Sequence, residues 1–411
     1  MRRLPAFFAA ASVLVLLACS GPAKAADNHP NATAPADRTA LTGAAPRTTA
    51  TTASLPAVQH VFVIVLENEG YAATFQNPSA DPYLARTLPA QGALLTNYYG
   101  TGHESNDNYI AMISGQAPNL QTSSDCQIYS QFIGIGIGTA AGGQAIGTGC
   151  VYPSTVSTVA NQLTAKGLSW KGYMEDMGNV AGREAPVCGH PALDAQDKTQ
   201  SAVAGDGYAT RHDPFVYFSS ITDSPAYCDA HVVPLGSDTG ALPAGTPPGT
   251  TGLAADLASA STTPNLSFIT PNLCDDGHDY PCTNQKSGAS ALADIDTFLQ
   301  IWVPKITSSP AFTQNGMLII TFDESDGPQS DSTACCNERP GPSDPLPGLT
   351  GSGGGRVGAV VMSPWTEGGT VDSVAYNHYS LLASIENLFG LSRLGYAATV
   401  PSTFGADVFN R

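Results

Sequence analysis

The sequence predicts a layered α/β domain built around a mostly parallel central sheet. The first observation is a set of short, near-continuous apolar runs, which are typical of strands buried on both faces of a sheet. The second observation is that stretches with helical spacing of apolar residues lie between those runs. The predicted strands cover 60–66, 168–176, 266–271, 316–324 and 355–364.

Three segments carry the helical spacing. In 289–306 the apolar side chains fall along one helical face, and 155–167 and 379–391 repeat this pattern. Strands that alternate with helices favour a parallel arrangement. The Gly-rich stretch 133–149 and the Pro/Gly-rich stretches 234–252 and 339–355 are expected to be surface loops.

The N-terminal region predicts export. Residues 1–25 combine an arginine pair, an apolar core and small residues, as in a signal peptide. Two cleavage readings remain open: an ordinary site after Ala25, or a lipoprotein signal that ends before Cys19 and leaves a lipid anchor on Cys19. No other segment is long and apolar enough to span a bilayer. Residues 26–56 are rich in Ala, Thr and Pro and predict a flexible linker, and 57–411 is expected to be one folded domain.

Charge and cysteine content narrow the partners and the compartment. The formal net charge of -17 disfavours nucleic acid and anionic membranes as general partners. Of the nine cysteines, eight follow the signal region, and an even set in an exported chain indicates disulfides. Cys126 with Cys150 and Cys274 with Cys282 are plausible pairs. The adjacent residues Cys335 and Cys336 are expected to bond to different partners.

Polar side chains follow the predicted strands at the point where each strand ends. The first strand ends in Glu67 and Asn68, and the 316–324 strand ends in Asp323 and Glu324. The carboxyl edge of an open α/β sheet is where ligands bind. Each pair alone could be a solvated turn, but together they predict an oxygen-rich site for one divalent ion, Mg²⁺, Ca²⁺, Mn²⁺ or Zn²⁺. The strand 266–271 leads into a further polar group, which consists of Asp275, Asp276, His278 and Asp279.

The segment 98–115 supplies a candidate nucleophile. His103, Ser105 and Asn108 lie in a short polar stretch before an apolar, helix-like one. A serine in this position is often a helix N-cap. The functional interpretation makes Ser105 a nucleophile activated by a bound metal and Asn108 a donor to a substrate oxygen.

Six motifs occur in an order that resembles the bacterial phosphoesterase family of secreted acid phosphatases and phospholipases C, in the alkaline phosphatase superfamily. The motifs are HVFVIVLENEGYAATF, NYYGTGHESNDNYIAMISG, RHDPFVYF, TPNLCDDGHD, TFDESDG and NHYSLLASIENLFGL. The resemblance covers roughly residues 58 to 396. It implies a three-layer α/β/α sandwich with a metal at the carboxyl edge of the sheet, and it makes 57–411 a catalytic domain.

The resemblance also implies roles for individual residues. The metal ligands would be Glu67, Asn68, Ser105, Asp323 and Glu324. Ser105 would also be the nucleophile, and His278 and His212 would face the phosphate as catalytic groups. Asn108, His103 and Asp279 are the remaining candidates for substrate binding. The chain departs from the family pattern at Glu104, where Pro is frequent, and at Asp213, where Asn is common.

The sequence therefore predicts an exported, metal-dependent phosphoesterase. The preferred function is an acid phosphatase that hydrolyses phosphomonoesters through a phosphoserine intermediate, on a small phosphate ester or a phospholipid head group. One alternative is a phospholipase C-type phosphodiesterase with the same centre. A second is a non-catalytic surface binding module stabilised by calcium, which would not require Ser105.

Overall fold

The computed structural model describes residues 55–77, 79–138, 142–349 and 351–411. The predicted signal peptide, Cys19 and all but the last two residues of the predicted linker lie outside these ranges. Across the described ranges, every helix is too short or too polar to cross a membrane.

An eight-stranded sheet forms the centre of the fold, in the order β10-β2-β9-β8-β1-β7-β5-β6. Its strands are β1 His60–Leu66, β2 Ala93–Tyr99, β5 Trp170–Met174, β6 Val232–Pro234, β7 Leu266–Thr270, β8 Gly316–Phe322, β9 Ala359–Met362 and β10 Thr370–Asn377. Two further strands, β3 Ile133–Gly138 and β4 Gln144–Thr148, pair with each other as a separate antiparallel hairpin. Every pairing in the large sheet is parallel except those of β9 with β2 and β8. The Gly-rich stretch that was expected to be a loop therefore contains a hairpin.

The central strands are buried along their whole length, since every residue of β1, β7 and β8 is buried. Each face of these strands must therefore be covered by other layers, which confirms the predicted three-layer α/β fold. All five predicted strands are present. The edge strand β10 was not predicted, because it mixes polar with apolar residues and contains no continuous apolar run.

The three predicted helices are present, and each begins after a side chain that caps it. Thr158 accepts from Asn161 N before α3, and Ser290 accepts from Ala293 N before α7. The side chain of Asn377 accepts from Ser380 N before α9. The helices are α1 Tyr71–Thr74, α2 Ser105–Ser114, α3 Val159–Ala165, α4 Ser219–Thr222, α5 Pro225–His231, α6 Leu253–Asp256, α7 Ala291–Thr307, α8 Pro310–Asn315 and α9 His378–Leu388.

Four disulfides connect the eight cysteines of the described chain. The two predicted pairs, Cys126–Cys150 and Cys274–Cys282, are confirmed, and a third joins Cys188 to Cys228. The expectation for the last two cysteines is wrong, because Cys335 and Cys336 bond to each other. The other six cysteines of the described chain are already joined in pairs, so within it Cys335 and Cys336 have only each other as partners.

The buried carboxyl of Glu386 on α9 should make the stability of the fold depend on pH. Burial raises its pKa from the ordinary 4.5 to about 8, although the amide of Leu394 and the charge of Arg393 oppose this effect. The folded protein therefore binds this proton more tightly than the unfolded chain does. The stabilisation is fully present below about pH 4.5 and is lost as pH rises through about 8.

We expect the free energy of unfolding to fall between pH 5 and pH 8.5, with Glu386 contributing on the order of a few kcal/mol. Urea unfolding at several pH values measures this slope. Glu386→Gln should flatten it, because the amide does not titrate. Glu367→Gln changes an exposed carboxylate and serves as the control. An unchanged slope in Glu386→Gln would show that Glu386 does not carry the effect.

Candidate active site at the carboxyl edge of the sheet

The parallel pairing of β1 with β8 brings two predicted ligand pairs together. Leu66 lies opposite Phe322, and Asp323 N donates to Leu66 O at 2.9 Å, so the chains leave the sheet side by side. Two residues after Leu66, Asn68 N donates to Asp323 Oδ1 at 3.2 Å. Asn68 has φ 56°, a left-handed conformation that Asn tolerates better than most residues. The structure thus places Glu67, Asn68 and Asp323 in one group.

The carboxyl groups at this edge are buried and repel one another. Burial raises the pKa of Glu67 well above its ordinary range, and the charges of Asp323 and Asp276 raise it further. Burial also raises the pKa of Asp323, to about 6, although hydrogen bonds oppose the shift. Such a group is favourable only when protons or a cation offset its charge.

Helix α2 presents two hydroxyl groups to Glu67, one turn apart. Ser105 Oγ donates to Glu67 Oε2 at 2.9 Å, and Tyr109 Oη donates to Glu67 Oε1 at 2.5 Å. Ser105 is the first residue of the helix, and its hydroxyl caps no backbone amide. The preceding residue, Glu104, has φ 126°, which is strained for a residue with a side chain. The N-cap interpretation of Ser105 therefore does not describe its contacts.

Asn108 holds the loop in front of α2. Its Oδ1 accepts from the amides of Thr101 and Gly102 at 2.7 and 3.1 Å, and its Nδ2 donates to the carbonyls of Gly102 and Glu104 at 2.8 and 3.2 Å. The amide group is therefore occupied by the backbone in this structure. Its contacts fix the loop that carries His103.

Glu324, the second residue after β8, turns toward the same loop. Its carboxylate contacts His103 Nδ1 and accepts from Glu104 N at 3.1 Å. The other nitrogen of His103 bonds to the carbonyl of Asp331 at 2.8 Å, so both His103 nitrogens are engaged. An adjoining cavity of about 290 Å³ is bordered by Asn68, His103 and Glu324 and gives access to this edge.

His212 approaches Glu67 from a different segment, the 3₁₀ turn Thr210–His212. Its Nδ1 lies 3.2 Å from Asp276 Oδ2, and its Nε2 lies 3.5 Å from Glu67 Oε2 with no hydrogen-bond partner among the described residues. Its ring stacks on Tyr109 with centroids 5.2 Å apart. Burial lowers its pKa well below the ordinary 6.5, and the charge of Arg211 lowers it further, so His212 is neutral.

His278 lies beside His212 but has different partners. Its Nδ1 lies 2.8 Å from Asp279 Oδ1, and its Nε2 lies 3.0 Å from Arg211 Nη2. Since a guanidinium can only donate, His278 Nε2 must accept, and its proton resides on Nδ1. The side chain is 27% exposed, which makes it more open to solvent than His212.

Several buried polar atoms in the group lack partners within the described part of the chain. They are Asn68 Oδ1, Asp323 Oδ2 and His212 Nε2. One ligand atom from each of Glu67, His212 and Asp276 also lies within 4.8 Å of the other two. Oxygen atoms with one imidazole nitrogen are suitable ligands for a divalent ion. The residues therefore fit a metal at Glu67, as the sequence predicted, and the structure adds His212 and Asp276 to the candidate ligands.

Four functional neighbours were not assigned roles from the sequence. Tyr109 could have been found from its position four residues after Ser105, which places both on one helical face. His378 bonds to the carbonyl of Asp323 at 2.5 Å, a contact that no sequence pattern indicates. Asp276 and Arg211 lie inside the quoted motifs TPNLCDDGHD and RHDPFVYF, but their orientations depend on the folded loops.

Comparisons with known proteins find several relatives of this chain. The chain is 25% identical over 339 residues to an acid phosphatase of Aspergillus fumigatus, and 26% identical over 324 residues to a phosphate-repressible acid phosphatase of Penicillium chrysogenum. These alignments cover 82% and 78% of this chain but only 56% and 57% of those relatives. A phosphatidylinositol-3-phosphatase of Mycobacterium tuberculosis is 25% identical over 362 residues, with 87% of this chain and 86% of the relative covered.

Among solved structures, a protein of the alkaline phosphatase superfamily from Vibrio parahaemolyticus aligns with a TM-score of 0.44 at 12% identity, covering 83% of this chain and 70% of that one. The model of the phosphoesterase family matches residues 77–392. The family match confirms the resemblance found in the sequence. The chain belongs to the phosphoesterase family.

Proposed function

We propose that the protein is an exported, metal-dependent acid phosphatase that hydrolyses phosphomonoesters through a phosphoserine intermediate. The observation that carries the proposal is the contact of Ser105 Oγ with Glu67 Oε2, within a group of buried carboxylates. A serine in this setting can lose its proton as it attacks. The family match and the named acid phosphatases support the reaction class.

Ser105 Oγ would attack phosphorus, form the Oγ–P bond and displace the alcohol oxygen. Glu67 Oε2 lies 2.9 Å from Ser105 Oγ and 3.5 Å from His212 Nε2, so the serine proton has a short route to the imidazole. Asp276 holds the other side of the ring at Nδ1. His212 would pass that proton to the departing alcohol oxygen. Water would then attack phosphorus and break the Oγ–P bond, giving a proton to His212, which returns it to Ser105 Oγ as phosphate leaves.

The two histidines would have different tasks. His212 Nε2 is unpartnered and faces Glu67, which suits a group that takes up and returns a proton. His278 Nε2 already accepts from Arg211, so it has no proton to give at that atom. We therefore assign proton transfer to His212, and to His278 the positioning of Arg211 beside the substrate phosphate.

A divalent ion would be held by Glu67, Asn68 and Asp323, with Ser105, Glu324 and Asp276 as further candidate ligands; His212 Nε2 takes the serine proton and is therefore not assigned to the ion. When bound, it would supply Lewis-acid stabilisation of the phosphate charge and a lower pKa for the serine hydroxyl. The unpartnered oxygens of Asn68 and Asp323 support this placement.

Export is supported by the four disulfides of the described chain, which persist in oxidising compartments. A lipid anchor at Cys19 remains part of the proposal. The natural substrate would be a small phosphate ester or a phospholipid head group, and the name of the Mycobacterium tuberculosis relative makes a phosphoinositide a reasonable member of that class.

One assay separates the proposed function from its rivals. The purified protein is given p-nitrophenyl phosphate, its bis-ester and a phospholipid, each with and without a chelator. Chelator-sensitive hydrolysis of the monoester supports the proposal. Preference for the bis-ester or the phospholipid ester bond would favour the phospholipase C-type alternative. Calcium binding without any turnover would favour a binding module.

Ser105→Ala should abolish turnover while leaving the fold intact, because the change removes only a hydroxyl group. Loss of a covalent nucleophile should lower kcat by on the order of a thousandfold or more. Ser114→Ala is the matched control, since this buried serine lies on the same helix and bonds to the carbonyl of Ile110. Wild-type kcat in Ser105→Ala would overturn the nucleophile assignment.

Asp323→Asn should lower metal affinity and activity together, because it removes a charge but keeps an oxygen at the same position. Excess metal should then restore part of the activity, and Asp323→Ala should be restored less. Calorimetric titration with each divalent ion measures affinity independently of turnover. Asp296→Asn, which alters a buried carboxylate on α7, is the control. If Asp323→Asn binds metal as the wild type does, Asp323 is not a ligand.

A further inference from the structure

The centre lacks an obvious source of permanent positive charge apart from a metal. The site brings together carboxyl, hydroxyl, amide and imidazole groups, and none of these carries a permanent positive charge. A phosphomonoester carries up to two negative charges. A site of this composition needs a fixed cation close to the phosphate if it is to bind that dianion.

Arg211 is that cation. Its side chain is fully buried, and the guanidinium is always charged. Burial lowers the pKa of Arg211, but the charges of Asp125, Glu67 and Asp276 outweigh this effect and raise it. The charge of Arg211 opposes the rise in the pKa values of both Asp276 and Glu104, so the guanidinium lies close to these carboxyls.

Two contacts hold Arg211 against the first turn of α2, next to Ser105. Asn106 Nδ2 donates to the carbonyl of Arg211 at 3.1 Å. Asp125 Oδ1 accepts from Asn106 N at 2.9 Å, while its Oδ2 lies 3.5 Å from Arg211 Nε. The guanidinium and the nucleophile are therefore fixed to the same turn of backbone.

The hydrogen bonds of Arg211 are incomplete. Nη1 donates to the carbonyl of Gln200 and Nη2 donates to His278 Nε2, both at 3.0 Å. Nε has no hydrogen-bond partner among the described residues, although a buried donor without a partner is costly. His278, the acceptor at Nη2, is neutral at that atom and partly exposed, so it marks the side of the guanidinium that faces the open edge of the site.

We propose that Arg211 binds the non-bridging oxygens of the substrate phosphate and makes the enzyme prefer dianionic phosphomonoesters to monoanionic phosphodiesters. A guanidinium fork matches two unsubstituted phosphate oxygens, and the second negative charge of a monoester adds to the attraction. A diester keeps two unsubstituted oxygens but carries only one negative charge, so the charge advantage is lost and the fork can bind only when the second ester group points away from Arg211. This inference rests on the proposed function, since it names the determinant of its substrate class.

The first test compares kcat/KM for p-nitrophenyl phosphate and for its bis-ester in the wild type, Arg211→Lys and Arg211→Gln. Arg211→Gln should lower the monoester value about a hundredfold and the diester value by less than about tenfold. Arg211→Lys should fall between, because it keeps the charge but loses the fork. Equal losses for both esters in a folded Arg211→Gln would overturn the proposal.

The second test separates phosphate binding from a purely structural ion pair. Asp125→Asn breaks the pair with Arg211 but keeps the acceptor for Asn106 N, and Asn suits the φ of 52° at this position. If Arg211 binds phosphate, losing its counter-charge should leave affinity for inorganic phosphate unchanged or raise it. If Arg211 only supports the loop, Asp125→Asn should lose phosphate affinity and activity as Arg211→Gln does, and the proposal is then wrong.

Phosphate affinity is measured by calorimetry in the Ser105→Ala background, where turnover does not interfere. Circular dichroism and thermal unfolding identify any variant that fails to fold, and Asp125→Asn and Arg211→Lys then decide the result. A wild type that hydrolyses neither ester would refute the proposed function. In that case Arg211-dependent phosphate binding would support the anion site, and its absence would refute that as well.

Discussion

The parallel pairing of β1 with β8 is the constraint on which the candidate site depends. It delivers Glu67 and Asp323 to the same point at the end of two fully buried strands, where neither carboxylate can turn to solvent. Much of the surrounding structure offsets the resulting repulsion. The amides of Asn68 and Glu324 donate to Asp323, and the hydroxyls of Ser105 and Tyr109 donate to Glu67. The group is therefore held in place before any ligand binds.

The loops around the sheet edge are shaped by the same requirement. To place Ser105 on Glu67, the chain enters α2 through the strained backbone of Glu104, and Asn108 uses its whole amide group to hold that entry. Strain of this kind persists only where neighbouring contacts over-determine the conformation. His378 holds the backbone after β8 in a comparable way, because its Nε2 bonds to the carbonyl of Asp323. Residues far apart in the chain thus stabilise the arrangement of the Glu67 and Asp323 carboxylates.

The sequence predicted the parts of this arrangement that are written in local pattern. A buried strand has a readable apolar run, so the residues that follow it, such as Glu67 and Asp323, could be assigned to the sheet edge. Contacts between loops have no such signal. The bond between Asn108 and its own loop, the orientation of Arg211 toward His278 and the pairing of Cys335 with Cys336 depend on how the loops fold. The metal set was predicted from strand ends and from the family resemblance, and it omitted His212 and Asp276, whose approach to Glu67 depends on how the loops fold.

The overall charge gives Arg211 its importance. A net charge of -17 repels anionic esters at long range, but salt screens that field beyond about 8 Å at physiological ionic strength. Inside that distance the potential depends on the few groups that face the phosphate. In the proposed function, attraction at this distance would come from a bound cation and from Arg211, whose guanidinium keeps its charge. Burial strengthens this attraction, because a guanidinium acts more strongly on an anion where water is excluded. An acidic protein can in this way bind an acidic substrate through one buried arginine and one metal.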